Sequence, residues 1–150
     1  MTTRIKPPLV WIERNVPRSD LWPEAILFLF WVGVMVVASF LTPSPAGHGT
    51  HMQLGLPPCG VFATTGRPCP TCGMTTSFAH IMHGNLADAF AAHPMGPIVF
   101  LYLGLGAVYF FTKYLFRYRP VMPRPLLLWP NVAFVATVMG YGYYRFFTWP

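Results

Sequence analysis

Apolar residues along this chain gather into three long runs instead of alternating with polar ones. The runs cover residues 25–41, 95–112 and 126–144, and none of them contains a charged residue. A hydrocarbon core about 30 Å thick is crossed by roughly 20 helical residues, so all three are long enough. Period-two alternation, the mark of barrel strands, is missing. Pro130 lies near the start of the third run, where a missing N–H costs little. The pattern predicts three transmembrane helices.

The composition supports this class. Only 9% of the 150 residues are charged and 54% are hydrophobic, whereas a soluble domain of this size carries about 25% charged residues. So little polar surface excludes a soluble globule, and the abundance of apolar residues excludes disorder. The predicted fold class is therefore an all-α integral membrane protein.

The lysines and arginines predict the orientation. The first 24 residues hold four of them and residues 113–125 hold another four, whereas residues 42–94 hold only Arg67. By the positive-inside rule the N-terminus and the second connection are cytoplasmic, and residues 42–94 and the C-terminus face outward. In a bacterium this means the inner membrane and its periplasmic side. A cleaved signal peptide competes as an interpretation of the first run, but the run and its leader exceed the usual dimensions.

These patterns divide the chain into seven parts. The predicted order is a cytoplasmic arm at 1–24, helices at 25–41, 95–112 and 126–144, an outward segment at 42–94, a cytoplasmic basic connection at 113–125 and an outward tail at 145–150.

The outward segment contains signals for one or two short interfacial helices. In a helix over residues 74–83, Phe78, Ile81 and Met82 lie on one face. A second set of residues lies on the opposite face, which we expect to contact water. Gly84 is a natural C-terminal stop, and Asn85 a natural N-cap for a second short helix. The residues on the face expected to contact water are Thr76, Ala79, His80 and His83.

The middle third of the chain resembles a known family. The motifs occur in the order Cys59, Cys69-Pro70-Thr71-Cys72-Gly73-Met74-Thr75, His83-Gly84-Asn85-Leu86 and His93-Pro94. This order resembles that of the bacterial membrane-protein family called domain of unknown function 2752. The resemblance implies a membrane location but no activity. The chain departs from the family pattern at Thr76, where an arginine is usual, and at His93, where asparagine is common. If position 76 faces the cysteines, Thr76 leaves less positive charge beside them.

All three cysteines and all five histidines lie between residues 48 and 93. One interpretation is a metal site, with zinc or copper bound by Cys59, Cys69 and Cys72 and completed by a fourth ligand. Gly73 after the Cys-x-x-Cys pair is typical of a zinc knuckle. A second is a redox dithiol, Cys69 and Cys72, at a helix N-terminus whose dipole would stabilise a thiolate at Cys72. The third is a structural disulfide in an oxidising compartment.

Helix geometry restricts the fourth ligand. A helix starting near Cys72 puts His80 and His83 roughly 12 and 16 Å away at 1.5 Å per residue, too far for one zinc ion. The remaining candidates are His48, His51, His93 and water. His80 and His83 can form a weak second site of their own, but such a pair is more often a polar helix face.

Other site classes have no support. The sequence contains no nucleotide-binding glycine loop, serine elbow, HExxH motif or outward carboxylate pair, so no enzymatic activity is assigned. No run has an ionisable residue near its centre, which argues against proton-coupled transport. The cations are split between two membrane-flanking clusters, which disfavours nucleic acid and favours anionic lipid or a protein partner.

The predicted function is a transition-metal or thiol-redox accessory site on the outward segment of a small membrane protein. The alternative is a structural subunit or assembly factor whose cysteines only staple a loop. The predicted partners are the lipid bilayer and either a membrane protein or a second copy of the chain.

Overall fold

The structure, a computed structural model, describes residues 11–121 and 123–148. In chain order the elements are β1 (Trp11–Arg14), α1 (Trp22–Phe40), α2 (Gly60–Thr65), α3 (Met74–Met82), α4 (Leu86–Ala92), α5 (Gly96–Phe116), β2 (Tyr118–Val121) and α6 (Arg124–Thr148). Short 3₁₀ turns at Arg18–Asp20 and Thr50–Leu54 complete the set.

Three helices, α1, α5 and α6, are long and apolar enough to cross a membrane. Each covers most or all of one predicted run. α1 and α5 have a proline in their first turn, where the ring is compatible with the helix. α6 begins at Arg124, so Pro130 lies inside the helix and not in its first turn. The amide of Asn131 donates to Leu127 O at 2.6 Å, beside the interruption.

A short antiparallel sheet joins the N-terminal segment to the connection between α5 and α6, so the all-α expectation missed one feature. β1 and β2 pair with Trp11 opposite Val121 and Arg14 opposite Tyr118. Arg117, at φ +53°, ends α5 and exchanges hydrogen bonds with Val16: Val16 N donates to Arg117 O, and Arg117 Nε to Val16 O. Strands of four residues are too short to show a readable alternation, which is why the sequence did not reveal them.

The core lies between α1, α3 and α5. Trp31 of α1 meets Phe78 of α3 and Phe100 of α5 edge to face, with ring centroids 5.8 and 5.2 Å apart. Gly96 opens α5 where a Cβ atom would collide with the Ser77 side chain, so glycine permits close approach of α5 to α3. At the sheet end, Lys113 of α5 forms an ion pair of 2.8 Å with Glu24 of α1. Helix α3 is thus built into the bundle.

The predicted helix after the cysteines is present, with His83 as its C-cap and Gly84 in the left-handed conformation at φ +81°. Phe78 is buried as expected, and His83 is exposed. The expectation that Thr76 and Ala79 face water is wrong, because both are buried. The loop before α2 covers Thr76, and Thr50 Oγ1 lies 2.8 Å from Thr76 Oγ1. That buried polar partner could not be inferred from helix periodicity.

Candidate thiolate site

The structure brings all three cysteines together. Their sulfur atoms lie within 4.8 Å of one another. Cys59 is the N-cap of α2, whereas Cys69 and Cys72 lie in the turn before α3. Cys72 is buried, and Cys59 and Cys69 are half-buried. One side of the cluster therefore meets the protein interior, and the other can be reached from solvent.

The turn from Cys69 to Gly73 is shaped by its own hydrogen bonds. Cys72 N–H donates to Cys69 O at 2.9 Å, and Met74 N–H donates to Thr71 O at 3.1 Å. Gly73 adopts φ +91°, a left-handed conformation that glycine takes without strain. A Cβ atom here would lie 2.6 Å from Ala92 O and 2.8 Å from Gly47 O. The glycine lets the turn sit directly against two other backbone segments.

Residues in the last turns of α6 also contact the turn from Cys69 to Gly73. Arg145 Nη1 donates to Cys72 O and to Ala92 O, both at 3.1 Å, and so ties the cysteine turn to the end of α4. A Cβ atom on Gly142 would lie 2.5 Å from Pro70, so α6 also packs closely against the middle of the turn. The sequence pattern predicts an outward tail for Arg145 and does not reveal this role. Its position at the C-terminal end of the third apolar run was the only available signal.

The histidines proposed as ligands make other contacts. The His48 ring packs against Phe62 of α2, with centroids 4.4 Å apart. His51 Nε2 lies 3.2 Å from Pro57 O. His93 is fully buried, with Nε2 3.2 Å from Pro70 O. Across residues 11–121 and 123–148, the group of side chains close enough to hold a metal ion consists of the three cysteines.

His80 lies in α3 and His83 is its C-cap, and neither is part of the cysteine cluster. His83 Nδ1 lies 2.8 Å from Ala79 O of the same helix, which occupies one ring nitrogen. The helix that forms, Met74–Met82, separates both histidines from Cys72 along its length, as predicted.

The thiols differ in acidity. The Phe62 backbone N–H, pointing at the sulfur of the N-cap residue, lowers the pKa of the Cys59 thiol. Burial, reinforced by the neighbouring Cys69 and Cys59, raises the pKa of Cys72 to about 11. Burial therefore opposes the thiolate that the dipole of α3 is expected to favour at Cys72. Burial also lowers the pKa of His93, because desolvation disfavours the charged imidazolium.

The separations suit a metal ion. In a tetrahedral zinc site with Zn–S bonds of about 2.3 Å, neighbouring sulfurs are about 3.8 Å apart. Sulfurs no more than 4.8 Å apart reach this spacing with shifts of about 1 Å or less. All three cysteines are free, and a disulfide would need two sulfurs at about 2.05 Å. The cluster is thus close enough to hold one ion.

Comparison with known proteins places this site in a recognised family segment. Residues 59–107 match the family described as "Protein of unknown function (DUF2752)", which confirms the resemblance seen in the sequence. The matched segment runs from Cys59 through the first half of α5, so it contains the whole thiolate cluster. No curated protein and no solved structure matches the chain.

Proposed function

We propose that this chain is a small membrane protein whose three cysteines bind one thiophilic transition-metal ion, zinc or copper(I), as an accessory site for a membrane partner. The observation that carries the proposal is the mutual approach of three thiols from two separate segments, within 4.8 Å. A single structural disulfide in this loop would use only two of the three cysteines. Thiolates are the ligands that select zinc and copper(I) over harder ions.

The surroundings of the cluster support a preformed site. Arg145, Gly142 and Gly73 fix the turn through contacts with α4 and α6. A rigid framework of this kind lowers the cost of gathering the ligands when the metal binds. Cys59 and Cys69 are half-buried, so an ion held there stays accessible for exchange with a partner.

A fourth ligand is expected from His48 or from water. The ring of His48 packs on Phe62, in the helix that begins after Cys59. His51 and His93 would each have to leave a backbone carbonyl. Three protein ligands with water in the fourth position are the arrangement of an open zinc site.

Thiol–disulfide exchange is the second candidate, favoured by the difference between the thiols. Cys59 is accessible, with its pKa lowered, and two further thiols lie within 4.8 Å of it. Its thiolate would attack a disulfide of a client protein and release one client thiol. Cys69 or Cys72 would then attack the mixed disulfide and release the second, so the client is reduced as this chain is oxidised.

Metal content measured beside a free-thiol count tests the proposal. Protein purified in detergent under anaerobic conditions, without a reductant, is expected to carry one equivalent of zinc or copper per chain. All three thiols should resist an alkylating reagent until a chelator is added. A reversible disulfide with no metal would instead support thiol exchange. A permanent disulfide with no metal would support the structural alternative and overturn both chemical proposals.

The proposal includes the orientation with the N-terminus cytoplasmic and the thiolate site outward. In a variant lacking the native cysteines, a single cysteine in place of Arg119 should react with an impermeant maleimide only after the cytoplasmic face is opened. One in place of Thr64, exposed on α2, should react in intact cells. Labelling of both positions from outside would contradict the orientation.

A further inference from the structure

A second site lies at the other end of the bundle, remote from the cysteines. Side chains of α1, α5 and α6 line a crevice of about 940 Å³ there. Strand β2 closes its base with Arg119, Pro120 and Val121, and Lys113 of α5 lies just above. The walls are aliphatic and aromatic side chains, among them Leu27, Trp31, Leu103 and Leu127.

The opposite end of the crevice is closed by α6. Tyr102 of α5 stacks on Phe134 of α6 with ring centroids 4.0 Å apart, and its hydroxyl donates to Asn131 Oδ1 at 2.5 Å. Tyr102 and Lys113 are separated by eleven residues, or about 16 Å along the helix, which is about half the thickness of a hydrocarbon core. The crevice therefore has the depth of a single leaflet.

The base of the crevice carries a positive charge that is held in position. Lys113 is neutralised by its ion pair with Glu24. Arg119 donates from Nη2 to Asp20 O at 2.7 Å, and among the described residues no carboxylate lies within ion-pair distance of it. One guanidinium edge is thereby anchored to a neutral carbonyl, and the charged side chains that line the crevice, Lys113 and Arg119, are both cations.

We infer that this crevice binds one anionic phospholipid from the leaflet on the β1–β2 side, its phosphate at Arg119 and one acyl chain between α1, α5 and α6. Charge complementarity selects the headgroup: an apolar crevice that ends in a cation at a leaflet boundary fits an amphiphile with an anionic head. The inference rests on the membrane insertion proposed above but not on the metal site.

Native mass spectrometry of the full-length protein in detergent tests this inference. The probes are phosphatidylglycerol and phosphatidylcholine with identical acyl chains, supplied in equal amounts. Wild-type protein is expected to retain one phosphatidylglycerol per chain, with a preference of about fivefold over phosphatidylcholine, the effect of one cation near a membrane surface. Arg119→Gln should abolish the preference. Arg18→Gln, which removes an exposed cation on the same side that does not line the crevice, should keep it.

A second pair of variants tests the acyl-chain position. Gly106 lines the crevice with open space where a Cβ atom would be, so Gly106→Leu should fill the space and remove both lipids. Gly140→Leu on α6, also in open space but outside the crevice, is the matched control. Equal lipid retention in Gly106→Leu and wild type, or no preference in wild type, would overturn the inference. So would a dimeric mass without lipid, which would assign the crevice to a second copy. A protein that stays monodisperse without detergent would overturn the membrane insertion as well.

Discussion

Cys72→Ser is expected to weaken zinc or copper(I) binding by more than about 100-fold, since losing a group that only orients a ligand already costs 10–100-fold. The sulfur of Cys72 faces the interior, and the other two cysteines lie on its open side. A serine hydroxyl stays protonated and is a poor ligand for a soft metal, so two thiolates would remain. Competition with a chromophoric chelator, on detergent-purified protein in a reductant, measures the change in affinity.

The other substitutions make this measurement specific. Cys59→Ser and Cys69→Ser should weaken binding as severely as Cys72→Ser if all three thiolates hold the ion. His51→Ala is the matched control, because its ring bonds Pro57 O and the affinity should stay within about twofold of wild type. His48→Ala should lower the affinity only if its imidazole is the fourth ligand. Wild-type affinity in Cys72→Ser would refute the metal site, and a milder effect at Cys59 alone would show that Cys59 is not a ligand.

The three long helices could be predicted because their signal, a run of residues without charge, extends over many positions. Three uncharged runs of 17 or more residues indicated α1, α5 and α6 regardless of any tertiary contact. The end of α3 before Gly84 could also be predicted from the local sequence, because a positive φ at a helix C-terminus needs no distant partner. The sheet between β1 and β2 was missed because four-residue strands are set by the positions of α1 and α5 and not by their own pattern.

The environment of the site could not be predicted, because it comes from distant parts of the chain. Thr76 is buried by Thr50, 26 residues earlier, although the helix pattern placed it in water. Arg145, 73 residues after Cys72, donates to the carbonyl of that cysteine. The family resemblance suggested that the missing arginine at position 76 would leave less positive charge near the thiols. In this chain a cation reaches the same turn from α6 instead.

That long-range support makes Gly73 the position where a small change should have a large effect. Gly73→Ala is expected to destabilise the protein by the strain of a left-handed residue, about 1–2 kcal/mol, and by a further 1–3 kcal/mol, roughly, from overpacking. The overpacking arises because the new methyl group would lie 2.6 Å from Ala92 O and 2.8 Å from Gly47 O. Displacement of the turn should also move Cys72 and weaken metal binding. Thermal stability in detergent, followed by size-exclusion chromatography, and the chelator competition measure the two effects.

Gly84→Ala separates the two causes. Gly84 has φ +81°, close to the +91° of Gly73, but a Cβ atom there meets nothing within 4 Å. The control therefore carries the same backbone strain without the contact, and it leaves the cysteine turn untouched. We expect it to lower the apparent Tm by a few degrees, at about 2–4 °C per kcal/mol for a chain of this size, with metal affinity unchanged. Equal losses of stability in the two variants would show that the turn is free to move away from Ala92, and the rigid framework around the thiols would then be wrong.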